Sequence, residues 1–390
     1  MKILVICQYY APEPFRHPDI CEELVARGHE VTVITGLPNY PMGEIYEGFR
    51  HGERRNEAIN GVKIHRCFTI GRKGGVLKRF LNYYSYVFSS CQYVSQLHDN
   101  FDVVLVNQLS PVMMAYAGIK YKKKYHRKLV LYCLDLWPES LIAGGIHHDS
   151  LPYRLFHHIS RRIYKQADRI LITSRQFADY FRQEFHITDT KYLPQYAEDL
   201  FVPAACAKKA DEYLDLMFAG NTGVAQSVET VIRAAELTSD MKNVRWHIVG
   251  EGSELHNLQK MASDLKQVCF HGRRLVTEMP AFYAKADAML VTMQKDPFLS
   301  MTLPGKVQSC MAAGKPLICA ADGETPAVIT EAECGLCGPA EDAKALADNV
   351  RRFSQLKSNE MGNNARMYYE KHFSRKSFMD ELETELLQCI

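Results

Sequence analysis

Short apolar segments alternate with helical stretches along almost the whole chain, and this rhythm constrains the fold more than any single motif. Strands are expected at 2–7, 30–35, 62–67, 103–106, 129–133, 169–173 and 191–193, then at 215–219, 244–249, 268–271, 288–292 and 316–320. Strands rich in Val, Ile and Leu that alternate with helices indicate parallel sheets covered on both faces. At 390 residues the chain exceeds one ordinary core. The rhythm falters between Asp199 and Asp215, so the expected architecture is α/β, with two Rossmann-like doubly wound domains in tandem and a deep cleft between them. The expected boundaries are 1–198, a linker at 199–214, 215–372, and a C-terminal helix at 373–390.

Composition narrows the class. A hydrophobic content of 47% with 24% charged residues fits a globular protein, and no apolar run reaches the ~20 residues of a membrane helix. The N-terminal apolar run reads as a first strand and not as a signal peptide. Several of the scattered cysteines, including Cys7, Cys133 and Cys319, lie in apolar strands and suggest reduced, cytoplasmic thiols. Residues 1–200 hold 26 Lys+Arg against 20 Asp+Glu, and the remainder 21 against 25. The basic half suggests an anionic partner such as a lipid surface or phosphate, or merely uneven surface decoration.

Between Thr302 and Ala320 a loop, a short helix, a glycine turn and a buried strand follow in quick succession. Pro304 and Gly305 can open the helix, Lys306 adds a positive charge beside its free amides, and Gly314 suits its C-cap. A phosphorylated ligand would sit here, although an ordinary capped helix has the same pattern. Gly220, Asn221, Thr222 and Gly223 follow a strand, as do Gly250, Glu251, Gly252 and Ser253; both turns let a ligand approach, and both suit a plain βα connection. Arg273 or Arg274 can clamp a phosphate or simply be solvated. Asp135 and Glu139 stand at a strand end with Trp137 between them, placed to act as base, electrostatic stabiliser or hydroxyl ligand. Trp137 can stack on a sugar or pack in the core. The stretch 72–88 is basic and then aromatic, carrying Lys78, Arg79, Phe80 and Tyr83, as a membrane-surface helix or a core helix would. Adjacent His pairs and the absence of any Asp-x-Asp give no metal motif. The Walker, nucleophile-elbow and dinucleotide fingerprints are absent too, the last arguing against an NAD-dependent dehydrogenase.

Taken together, the segments 24–35, 35–41, 135–140, 218–221, 248–252, 286–288, 303–306 and 311–316 resemble bacterial family 4 glycosyltransferases of the GT-B fold. They look like the subgroup that builds capsule and O-antigen repeat units on a polyprenyl-diphosphate lipid. The resemblance implies a retaining, metal-independent transfer from a nucleotide-sugar, expected to be a UDP-linked N-acetylated hexose, to a lipid-linked saccharide. It implies a cytoplasmic protein peripheral on the inner face of the plasma membrane, with no cofactor and no nucleic-acid partner. The donor would meet Gly220, Asn221, Thr222, Gly250, Glu251, Arg273, Arg274, Ser300, Thr302, Leu303, Pro304, Gly305 and Ser309, with Lys306 and the amides near 300–305 on the diphosphate. The acceptor and membrane would meet Arg16, His17, Asn39, Tyr40, Lys78, Arg79, Phe80 and Tyr83. Asn221, Gln226, Met301 and Ser309 stand where many relatives carry charged residues, Leu134 where many carry His, and Phe15, Arg16 and His17 where many carry a glycine pair. Two other readings share these features: a UDP-sugar 2-epimerase of the same fold, and a non-catalytic membrane-bound nucleotide-sugar sensor.

Overall fold

The computed structural model describes residues 1–206, 208, 212–356 and 358–390. Residues 207 and 209–211, part of the segment read as a linker, lie outside the described residues. Two compact units are present. One comprises Met1–Thr173, Phe177–Leu193 and Met379–Ile390; the other comprises Ser174–Gln176 and Pro194–Phe378.

The first unit is built on an eight-stranded sheet of β1 (Lys2–Ile6), β2 (Glu30–Gly36), β3 (Asn56–Ile59), β4 (Val62–Cys67), β5 (Val103–Gln108), β6 (Lys128–Cys133), β7 (Arg169–Ile172) and β8 (Thr190–Tyr192), in the order β3-β4-β2-β1-β5-β6-β7-β8. All neighbours are parallel except β3 and β4. Every residue of β5 is buried, as a central strand covered on both faces requires. The sequence reading missed β3, whose Asn-Glu-Ala-Ile lacks a β-rich run. Its signal was the following Asn60-Gly61, where φ values of 48° and 84° make the two-residue hairpin turn that this dipeptide favours.

The chain returns to this unit at its end. On the helix Arg375–Leu387, Asp380 and Glu383 pair with Arg27 at 2.7 and 3.0 Å, and the nearly buried Glu385 pairs with Arg169 at 2.8 Å. Screening makes the exposed pairs modest contributors, so the apolar Met379, Leu382 and Leu386, all buried, hold the helix more than its charges do.

The second unit carries a six-stranded parallel sheet of β9 (Leu214–Ala219), β10 (Val244–Val249), β11 (Val268–Gly272), β12 (Ala288–Thr292), β13 (Leu317–Ala320) and β14 (Gly335–Gly338), in the order β11-β10-β9-β12-β13-β14. Trp246, Phe218, Leu290 and Ile318 centre its core. The sequence reading missed the short, glycine-ended β14. Cys334 and Cys337 stand there in a C-x-x-C spacing that the scatter of the other thiols hides; both are free, and Cys337 faces Cys319 across the β13–β14 register. The described part of 199–214 packs on this unit: the Phe201 ring lies 4.9 Å from Tyr283, and Lys208 reaches Asp215 and Asp287 at 2.9 and 2.6 Å. Winding reverses between β9 and β12, so the carboxyl ends of these two strands form the switch point where open α/β sheets take ligands.

Candidate functional site

At that switch point three loops interlock. The Gly220 amide donates to the Val249 carbonyl at 2.9 Å, the Thr222 amide to Glu251 at 2.9 Å, and the Glu254 amide to Thr222 at 3.1 Å. Glycine is obligatory here. A Cβ on Gly250, which has φ +146°, would stand 1.8 Å from the Gly220 oxygen, and one on Gly252 would stand 2.3 Å from Asn221 Oδ1. The side chain of Thr222 is fully buried among these loops, so it joins them from inside and presents no hydroxyl to a ligand, contrary to the sequence reading.

The helix Gly305–Ala312 points its start at this junction, with Pro304 as N-cap. Its backbone donors divide cleanly. The amides of Phe298 and Leu299 are taken by the Asp296 carboxylate, and those of Ser300, Met301 and Thr302 by carbonyls one turn back. The expectation that amides from residue 300 onward receive a phosphate is therefore corrected: the preceding short helix Pro297–Ser300 has already used them. Among the described residues, the amides of Gly305 and Lys306 have no protein acceptor, while that of Val307 is bonded to Pro304. The loop before the helix is held from behind, because Gly323 lets Ser300 approach and the Ser174 hydroxyl donates to the Met301 carbonyl.

Lys306 crosses from this helix to β9. Its Nζ donates to Gln226 Oε1 at 2.5 Å, sits 4.0 Å from the centroid of the Phe218 ring, and lies 2.8 Å from where a Cβ on Gly220 would be. Burial lowers its ammonium to about 8, because an amide and an aromatic face replace water only in part. Among the described residues no carboxylate neutralises it. The result is a poorly compensated cation beside two free amides at a helix start, an arrangement that accepts an anion.

Other expected donor residues are placed differently. Leu303 is buried and packs inward, and Ser300 spends its hydroxyl on the Pro297 carbonyl. Ser309 is buried, with its hydroxyl 3.4 Å from Glu198 Oε2 and 3.3 Å from the Gly305 oxygen. Glu198 thus brings a carboxylate to Ser309 from more than a hundred residues away, a contact no local motif announces. Asn221 and Glu251 are exposed on the loop tips. Arg273 and Arg274 are exposed; Arg274 donates to the His271 carbonyl at 3.1 Å and covers the Phe282 ring at 5.4 Å. Pro304, Gly305 and Thr302 frame the helix start.

In the first unit the Asp135 carboxylate stands beyond β6. It accepts from the Ser110 hydroxyl, which lies 2.8 Å from Ser140 Oγ, and burial raises its pKa against that bond. Glu139 is a correction. It is buried, and its Oε1 accepts from the Tyr153 and Tyr180 hydroxyls at 2.6 and 2.5 Å, so it braces two helices in place of facing a substrate. Trp137 takes the packing alternative, edge-on to Phe156 at 5.9 Å.

His17 and Asn39 are corrected likewise. The His17 ring is buried against Phe15 at 5.8 Å, and burial lowers its pKa to about 4. Asn39 is fully buried; it donates to the Leu37 carbonyl at 2.8 Å and accepts from Asn82 at 3.2 Å. The organiser is Glu13, which the sequence reading missed. Its carboxylate accepts from the amides of Tyr10, Asn39 and Tyr40 at 3.1, 2.8 and 2.7 Å, joining two loops, and burial still raises it to about 7. Tyr40 stays partly open under the Arg72 guanidinium at 4.4 Å, and Arg16 stands at the N-cap position of the helix His17–Ala26 without a side-chain capping bond.

The helix Val76–Gln96 is inverted in character. Its buried stripe is Asn82, Tyr86, Ser90 and Val94, with the Tyr86 hydroxyl donating to the Cys7 carbonyl at 3.0 Å. Its exposed stripe is Leu77, Leu81, Tyr84 and Phe88, with Leu77 73% and Phe88 74% exposed. Phe80 stacks 6.1 Å from Phe156 of the helix Leu151–Tyr164, which exposes Leu151 and Leu155 in turn; Tyr83 is half-buried. Lys78, Arg79, Arg154 and Arg162 on these two helices are exposed. No helix among the described residues is long and apolar enough to cross a membrane.

Comparison with known proteins agrees with this fold. Residues 17–194 match the model of the glycosyl transferase 4-like domain, and residues 214–355 that of glycosyl transferases group 1. The chain is similar to the Pseudomonas aeruginosa protein described as "Probable glycosyltransferase WbjE", at 25% identity over 67% of this chain and 68% of that one. It is also similar to the Escherichia coli protein described as "Putative colanic acid biosynthesis glycosyl transferase WcaI", at 25% identity over 99% of this chain and 100% of that one. Among solved structures, sucrose-phosphate synthase from Thermosynechococcus elongatus superposes with a TM-score of 0.77 at 16% identity, covering 99% and 98% of the two chains. HepE from Anabaena, solved with UDP and glucose, superposes at 0.71 and 15% identity over the whole of both chains. The fold is that of the GT-B glycosyltransferases, and within it residues 17–194 and 214–355 each match a glycosyltransferase domain model.

Proposed function

We propose that this chain transfers a sugar from a UDP-sugar to a lipid-linked saccharide in the assembly of a bacterial surface polysaccharide. The observation that carries the reading is the Lys306 site, where a desolvated ammonium, two free amides and a glycine-lined approach meet at the switch point of the second unit. A nucleoside diphosphate is the anion it suits. In the transfer, the bond from the sugar's anomeric carbon to the diphosphate oxygen breaks as a bond to the acceptor hydroxyl forms. The acceptor proton passes to the departing diphosphate, whose extra charge Lys306 and the helix start offset. Retention at the anomeric carbon follows from the family resemblance. HepE, whose structure contains UDP, supports the nucleotide, WcaI supports the pathway class, and WbjE supports glycosyl transfer.

To Asp135, whose carboxylate accepts from the Ser110 hydroxyl, we assign the acceptor hydroxyl. The inverted helix supports a peripheral seat on anionic lipid, since its apolar stripe is exposed with the cation Lys78 next to Leu77 and its polar stripe faces the core. The test is transfer of radiolabel from a panel of UDP-sugars into the lipid-extractable fraction of bacterial membranes, with proton NMR of the anomeric signal. Labelled lipid with the donor's configuration is expected. An isomerised nucleotide-sugar with no labelled lipid would mean an epimerase, and no turnover with any donor would mean a sensor. Replacing Lys78 and Arg79 with Glu should release the protein from anionic vesicles; unchanged co-sedimentation sinks the membrane seat.

A further inference from the structure

A second basic site lies in the first unit, and of its charged residues only Lys78 has been used above. A cavity of about 650 Å³ opens between the segments around residues 43–55 and 68–78. Its basic lining is Arg50, His51, Arg55, Lys73 and Lys78, with Glu44 the carboxylate among them. Glu44 pairs with Lys73 at 2.7 Å, whereas Arg50, Arg55 and Lys78 make no ion pair among the described residues. With His51 neutral, the cavity holds a net positive charge of about three, concentrated on flexible side chains around a void.

The backbone beneath is closely built. Gly43, at φ +81°, lets its carbonyl accept the Lys73 amide at 2.9 Å, and a Cβ on Gly71 would stand 2.8 Å from that same carbonyl oxygen. Arg50 is anchored by Nε to the Ile45 carbonyl at 3.2 Å, which leaves its terminal nitrogens for a ligand. A multiply charged oxyanion fits such a set, because guanidinium forks bind phosphate oxygens in pairs. Position narrows the choice further. Lys78 lines the cavity and belongs to the first turns of the inverted helix, next to the exposed Leu77 and one turn from Leu81. The cavity therefore borders the face assigned to lipid.

We propose that this cavity binds a diphosphate group, that of the lipid-linked acceptor. This rests on the proposed acceptor class and adds the place where its charged linkage is held. The experiment uses the full chain with Lys306→Met, which removes the other proposed diphosphate contact, so its outcome does not depend on the donor site. Binding of inorganic diphosphate is measured by calorimetry. Co-sedimentation is measured with phosphatidylcholine vesicles, with and without undecaprenyl diphosphate. Adding Arg50→Gln and Arg55→Gln should weaken binding to the doped vesicles at least about tenfold, the scale of losing one or more charged hydrogen bonds. An unchanged melting curve confirms that the variant folds, and Arg50→Lys should recover part of the affinity. Inorganic diphosphate binding that falls with the variants while doping changes nothing would keep the diphosphate site and assign it to a free ligand. Binding of both probes at wild-type strength in the double variant overturns the proposal.

Discussion

Lys306→Met separates stability from function at one residue. The ammonium sits at about 8 where an exposed lysine stands near 10.5. At 1.36 kcal/mol per pKa unit, keeping it charged at pH 7 costs the fold about 3 kcal/mol. The sign follows from proton counting. Between pH 8 and 10.5 the unfolded chain holds the proton and the folded chain does not. The penalty is therefore complete below pH 8 and is relieved as pH rises toward 10.5. Methionine keeps the volume and removes the charge, but it leaves Gln226 without its donor, a loss of about 1 kcal/mol. The net gain at pH 7 is about 2 kcal/mol, or roughly 4–8 °C in the melting transition of a unit this size. Scanning calorimetry of the ligand-free protein should show this rise at pH 7 and little of it at pH 10. The same variant should bind UDP at least about tenfold more weakly at pH 7, the scale of one charge-assisted contact. Wild-type affinity should fall as pH rises through 8, while the variant's stays level. A variant that melts at or below wild type and still binds UDP normally would refute both the desolvation and the anion role.

Three further outcomes follow from particular contacts. Gly250→Ala forces a methyl onto the Gly220 oxygen, so it should cost at least about 2 kcal/mol by overpacking and abolish UDP binding, measured by denaturant titration and calorimetry. Glu139→Gln should leave turnover within about threefold while lowering stability by about 1 kcal/mol, since its partners are two buried tyrosines; a hundredfold loss of turnover without a stability change would restore a catalytic role. Asp215 is buried with Arg245 at 2.5 Å, His247 at 2.9 Å and Lys208 at 2.9 Å, contacts that hold its pKa below the carboxylate range despite burial. Asp215→Asn should cost about 3 kcal/mol at pH 7 because it strands buried cations, and the difference from wild type should shrink as pH falls below about 4.

The architecture was legible because parallel strands buried on both faces must be apolar, and helices between them need no other signal. What escaped were elements whose sequence says little about pairing. β3 is polar and its evidence lay in the Asn60-Gly61 turn, while β14 is four residues ended by glycines. At the site, Pro304, Gly305 and Lys306 were readable because capping chemistry is local. Gln226 and Phe218, which set the environment of Lys306, lie eighty or more residues away and reach it only through the sheet. Asn39, His17 and Glu139 were misplaced for one reason. A polar side chain that satisfies buried backbone and one that waits for substrate look identical in sequence, and only burial and partners tell them apart. Glu13 is the converse, a carboxylate in a proline-rich loop that organises two loops by collecting three amides.

The most direct test is a crystal structure of the protein with UDP. The diphosphate is expected at the start of the helix Gly305–Ala312, with a phosphate oxygen within about 3 Å of Lys306 Nζ and of the Gly305 or Lys306 amide. A diphosphate bound elsewhere, with Lys306 still on Gln226 and those amides facing solvent, would contradict this placement.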